Sequence, residues 1–81
     1  MDVYIVFKAD EWLSSDSYFL IGVRLSLELA IELCQHHAEK EKLPLRSSEL
    51  DTLRIDNQLS GSNLRTWGYD IVKCNTDEFD I

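Results

Sequence analysis

Eighty-one residues make room for one domain, and 15 acidic against 8 basic side chains leave it with a formal net charge of −7. That balance disfavours direct binding to nucleic acid or to an anionic membrane, since both rely on Lys and Arg to neutralise phosphates. A hydrophobic fraction of 44%, with two Trp, three Tyr and three Phe, excludes the disordered class, and two cysteines are too few for a disulfide scaffold.

Residues 3–9, Val-Tyr-Ile-Val-Phe-Lys-Ala, predict a strand. Val3, Ile5 and Phe7 alternate with Tyr4 and Val6, so both faces are apolar, as suits an interior strand. Residues 10–17 have loop composition and carry Trp12. Residues 18–24 predict a second strand, antiparallel to the first, in which Gly22 marks a bulge or the close approach of another group.

Ser26 is placed to cap a helix over residues 27–42, with Glu28 in the first turn, Lys40 and Lys42 in the last, and Pro44 as the stop. At 100° per residue, Leu27, Ala30, Ile31, Cys34 and Ala38 form one apolar stripe. Leu33 and His37 border it, while Glu28, Glu32, Gln35, His36 and Glu39 point away. Residues 45–49 read as a loop. Residues 50–59 alternate imperfectly, with Leu53 and Ile55 on one side, and predict a third strand. Ser60-Gly61-Ser62-Asn63 is a turn signal, and residues 64–74 predict a fourth strand in which Trp67, Tyr69 and Ile71 alternate with Gly68, Asp70 and Val72. The expected architecture is α+β: a single domain over residues 1–75 and an acidic tail over 76–81. Its core is a small antiparallel sheet of about four strands in the order ββαββ, with one helix packed on one face.

Catalytic and metal chemistry find little purchase. Cys34, His36 and His37 diverge around the helix, so one zinc ion cannot take all three, and Cys34 belongs to the apolar stripe, where cysteine acts as a small hydrophobe. The Cys34–His37 pair lacks the exposed, electropositive setting that a reactive thiolate needs. The carboxylate pairs Asp10-Glu11, Glu49–Asp51 and Asp77-Glu78 fall in loops or the tail, without the burial that drives pKa values apart. The three glycines are isolated, so there is no phosphate loop. The expectation is a non-enzyme without metal or cofactor. No apolar run approaches the roughly 20 residues of a membrane span, and Met1-Asp2 with its short apolar run does not resemble a secretory leader, so the expected compartment is a reducing cytoplasm.

Binding features remain. Trp12 in an acidic loop is either a lid on the core or an exposed anchor. Glu28, Glu32 and Glu39 give the helix an acidic outer face, and Asp77, Glu78 and Phe79 mix charge with an apolar group in the tail. Each has a plainer reading: satellite packing, solvation and fraying. A second hypothesis places a small ligand or nucleotide on a face bearing Tyr4, Trp67 and Tyr69, with Arg24, Arg65 and Lys73 nearby in sequence. A third is a self-associating structural subunit, a homodimer in the simplest case.

Val3-Tyr4-Ile5-Val6, then Leu20-Ile21-Gly22-Val23 leading into Ser26-Leu27-Glu28-Leu29-Ala30, and Trp67-Gly68-Tyr69-Asp70-Ile71 before an acidic end, resemble the small phage and prophage ββαββ proteins. Residues 45–63 take no part in the likeness. The resemblance brings no catalytic residues. It implies a setting in which small acidic proteins inhibit bacterial defence systems, anti-CRISPR proteins among them, some by presenting carboxylates in place of phosphates. On that expectation the partner is a basic host protein with a nucleic-acid-binding surface. Glu28, Glu32 and Glu39 would stand in for phosphates, and Trp12 or the tail would supply apolar anchorage.

Overall fold

A computed structural model describes residues 1–61 and 65–75. Strand β1 (Asp2–Asp10) leads through a single 3-10 turn to β2 (Phe19–Arg24), and helix α1 (Leu27–Lys40) follows. A second helix, α2 (Ser47–Asp56), comes next, then the two-residue strand β3 (Gln58–Leu59) and the long β4 (Trp67–Asn75). The four strands form one antiparallel sheet in the order β2-β1-β4-β3. The α+β class and the four-stranded antiparallel sheet match the expectation.

The segment 50–59 does not. It is mostly helix, so the described residues carry two helices where one was expected. Leu53 is fully buried whereas Ile55 is 80% exposed. Two residues that would share a strand face stand about 200° apart on a helix, and that separation is what the structure has. Leu50, three residues before Leu53, packs against the same core. The start of α2 is capped from within, since Glu49 Oε1 accepts the Arg46 backbone N–H at 3.2 Å. Arg46 has only donors on its side chain, so the cap is one-sided. Asn57 ends the helix in the left-handed region (φ 58°), a conformation Asn tolerates, and turns the chain into β3.

Helix α1 stops two residues earlier than the expected end at residue 42. Lys42 N–H donates to Glu39 O and Leu43 N–H to Ala38 O, both at 3.0 Å, with Lys42 at φ 64°. This is the paired closing arrangement usually given to glycine. A Lys there carries the left-handed penalty, so Lys42→Gly should raise stability by about 0.5–1 kcal/mol, seen as a rise of a few degrees in melting temperature. An unchanged or lower midpoint would contradict that account.

Both helices lie on one side of the sheet. Val6 and Ile71, directly paired, and Tyr69 and Leu59, directly paired, share one core with Ala30, Ile31, Cys34 and Ala38 of α1 and Leu53 of α2. Small side chains at 30, 34 and 38, all fully buried, let α1 sit close to the strands. Gly22, opposite Val6, belongs to this approach, because a Cβ there would press on Leu33 Cδ2 at 2.9 Å. The bulge lies beside it, with Ile21 as the extra residue opposite the Val6/Phe7 step. Gly68 is required for a different reason: a Cβ would run into the Leu59 carbonyl oxygen on the neighbouring strand. Gln35, expected to face solvent, is half-buried, its Oε1 accepting the Leu45 N–H at 2.7 Å and its Nε2 donating to Leu45 O at 3.2 Å. Those two bonds hold the connection between the helices.

The other face of the sheet carries no further layer among the described residues. Val3, Ile5 and Phe7 alternate away from the helices, beside Cys74, Val72 and Asp70 on β4 and Val23 and Leu20 on β2. The segment after β1 covers one end only. The Tyr18 ring packs on Phe7 with centroids 5.5 Å apart, and its hydroxyl donates to Asp70 Oδ2 at 2.6 Å. That bond, with burial second, pushes the Tyr18 hydroxyl pKa up to about 12.

Candidate functional site

Three surfaces compete for a role. The first is the outer side of α1, where Glu28, Glu32 and Glu39 are exposed as the helical period requires. They are not equivalent. Arg54 of α2 reaches across to Glu28 (Nε–Oε1 3.1 Å) and also holds Asp51 (2.9 Å). Glu32 and Glu39 make no ion pair among the described residues. They lie seven residues apart, about 10 Å along the axis, and Lys40 and His36 share the exposed side. Trp12 is 77% exposed at the tip of the loop after β1, so it is no lid on the core. The Trp12 and Ser14 N–H groups both donate to Asp10 Oδ1, which fixes that loop and lowers the Asp10 pKa, the Ser14 amide contributing most. Asp77, Glu78 and Phe79 lie outside the described residues.

The second surface is the helix-free face of the sheet. Val23, Leu20 and Val72 are exposed and Val3, Ile5 and Cys74 half-buried, on three neighbouring strands. Among the described residues it carries no carboxylate apart from Asp70, which is satisfied by Tyr18 and by Gln58 Nε2 at 3.4 Å. It lies on the opposite side of the molecule from the α1 glutamates, so a flat partner can cover one or the other. Sequence reading took the apolar alternation of β1 as the mark of an interior strand. β1 is interior in strand order, but no described residue outside the sheet forms a layer over Val3 and Ile5 on its second face.

The third is a cleft of about 570 Å³ on the helix side, lined by Lys8, Phe19, Ile21, His37, Thr66 and Trp67 among others. A hydrogen-bonded chain backs it. Trp67 Nε1–H donates to the Tyr69 hydroxyl at 2.8 Å, and that hydroxyl lies 2.7 Å from His37 Nδ1. Indole has only a donor, so the one tyrosine proton is left for His37, which makes Nδ1 an acceptor and places the imidazole hydrogen on Nε2. His37 is kept neutral: burial and then Lys8 lower its pKa, the Glu41 carboxylate 4.0 Å from Nε2 opposes this, and Lys40 adds to the lowering. Burial lifts the Tyr69 hydroxyl to about 12.

The supposed aromatic platform of Tyr4, Trp67 and Tyr69 is thereby taken apart. Tyr69 is wholly buried, Tyr4 packs against the core, and only Trp67 reaches the cleft. Arg65 is buried too. It donates to the carbonyls of Trp67 and Ser60, each at 2.8 Å, and pairs with Glu49, which makes it a clamp inside the protein. Cys34 is fully buried, its thiol driven up to about 12 by desolvation, so it offers no nucleophile. No cluster of three or more metal-type ligands occurs among the described residues. No helix among them is long and apolar enough to cross a membrane. The part played by Lys8 and Phe19 was missed because it depends on strand pairing, which only the register reveals. A comparison with family models, curated proteins and solved structures returns no match.

Proposed function

We propose that this protein is a protein-binding module, without catalytic activity, whose contact surface is the helix-free face of the sheet. One observation carries the reading: Val3, Ile5, Val23 and Val72 form a contiguous apolar patch on three strands that nothing in the chain's described residues covers. Contiguous exposed apolar surface of this kind marks interaction sites in soluble proteins. The partner we assign is a basic protein with an apolar patch of its own. A second copy would bring −7 against −7, whereas a positive partner is drawn in by the field of the whole molecule. A carboxylate decoy on α1 has less support, because Arg54 already engages Glu28 and the two remaining glutamates share their surface with Lys40.

Two variants separate the surfaces. Val23→Asp with Val72→Asp places charge at exposed positions of the patch, and Glu32→Lys with Glu39→Lys reverses the helix face. Captured from lysate by the wild-type protein, a basic partner should be lost by at least tenfold in affinity with the sheet variant and kept with the helix variant. The opposite pattern would restore the decoy reading. A dimer by light scattering, abolished by the sheet variant, would replace the basic partner with a second copy.

A further inference from the structure

The cleft beside α1 holds a combination that neither docking surface has. Lys8 is paired with Phe19 on one side and Tyr69 on the other, so its side chain rises on the helix face between Phe19 and Trp67. Its ammonium nitrogen lies 5.6 Å from the centroid of the Trp67 ring. In a chain with 15 carboxylates, Lys8 makes no ion pair among the described residues. Asp10 is the one carboxylate lining the cleft among the described residues, and its Oδ1 is committed to the Trp12 and Ser14 amides. Phe19, Ile21 and Trp67 make much of the wall apolar and aromatic, with Ser17 and Thr66 adding hydroxyls, and the volume of about 570 Å³ lies within the range of small-molecule sites. His37 stands at the wall with Nδ1 taken by Tyr69 and with Nε2 4.0 Å from the Glu41 carboxylate, so the ammonium of Lys8 is the group left to meet an anion.

We propose that this cleft binds a small anion with a flat aromatic body. The ring would lie against Trp67 and Phe19, and its carboxylate or phosphate would take the Lys8 ammonium. A cation is the wrong ligand because Lys8 repels it, and a bare inorganic anion wastes the apolar walls. Charge selects the head and the aromatic walls select the body.

The test uses the full chain carrying Trp12→Phe, which leaves Trp67 as the only tryptophan. Phenyl phosphate, benzoate, benzylamine and inorganic phosphate are titrated separately while Trp67 fluorescence is followed. At least one aromatic anion should bind saturably, its identity deciding between phosphate and carboxylate, while benzylamine and inorganic phosphate leave the signal flat. Lys8→Met, which keeps the stem of the side chain, should weaken the aromatic anion about tenfold or more. Phe19→Ala, at an exposed edge position, should weaken it with the melting temperature unchanged, and serves where Lys8→Met disturbs folding. The proposal is overturned by the absence of saturable binding for both aromatic anions, by equal binding of benzylamine or inorganic phosphate, or by indifference to both substitutions.

Discussion

Arg65→Met should be among the most damaging single changes in the molecule, lowering stability by about 3 kcal/mol and the melting temperature by more than about 10 °C. Arg65 is 3% exposed and ties the return into β4 to α2. Its removal takes the buried guanidinium away from Glu49 and from the carbonyls of Trp67 and Ser60. A domain of this size holds a total margin of only about 4–12 kcal/mol, so the loss takes a large share of it. The pH dependence identifies the cause. Burial pushes the Glu49 pKa up, but the Arg65 hydrogen bond and the Arg46 N–H outweigh it, and the net shift is below the ordinary 4.5. A lowered carboxyl pKa contributes stability that is present above 4.5 and lost as pH falls through the folded value. The wild-type protein should therefore lose stability below pH 4.5, while Arg65→Met should close part of its deficit there as Glu49 takes up a proton. A deficit that stays constant with pH would assign the damage to lost packing instead. Arg65→Lys, which can satisfy fewer of the three acceptors, should fall between the two.

The elements that a single periodicity governs could be read from the sequence. The stripe Ala30, Ile31, Cys34, Ala38 placed α1, and Ser26 capped it as expected, its hydroxyl accepting the Leu29 N–H at 3.2 Å. The alternation through 67–72 placed β4. Helix α2 could not be read the same way, because it is short and exposes Ile55, so its apolar residues fit neither period well. The signals that could have found it are local: Ser47-Ser48-Glu49 at its start and Asn57 at its end. The candidate surfaces were less legible still. Helical spacing put Glu28, Glu32 and Glu39 on one side, but only the fold shows that Arg54, 26 residues from Glu28, neutralises one of them. That the second sheet face is free of helix among the described residues follows from α1 and α2 packing on the same side, a choice the apolar character of β1 does not dictate.

Removing a single oxygen at Tyr69 should cost about 2 kcal/mol, out of proportion to the change in volume. Tyr69→Phe keeps the ring in the core but leaves Trp67 Nε1–H without an acceptor and His37 Nδ1 without a donor. Tyr4→Phe, whose hydroxyl joins no such chain, is the control and should be near neutral. The same chain makes His37 a source of acid sensitivity. Protonating Nδ1 would turn it into a donor, and the buried Tyr69 oxygen would then face two donors, with no acceptor for its own hydrogen. Burial, Lys8 on β1 and Lys40 on α1 oppose the added charge, with Glu41 alone favouring it. The folded-state pKa thus lies below the ordinary 6.5, and the unfolded chain takes up its proton first. Stability is fully present above pH 6.5 and declines as pH falls from there through the lower folded value. Denaturant titrations between pH 7 and 5, above the range in which Glu49 contributes, should show that decline in the wild-type protein. They should show a shallower slope in His37→Gln, whose side chain does not titrate. Identical slopes would mean that proton uptake at position 37 is not coupled to folding and that the Trp67–Tyr69–His37 chain does not set the tautomer.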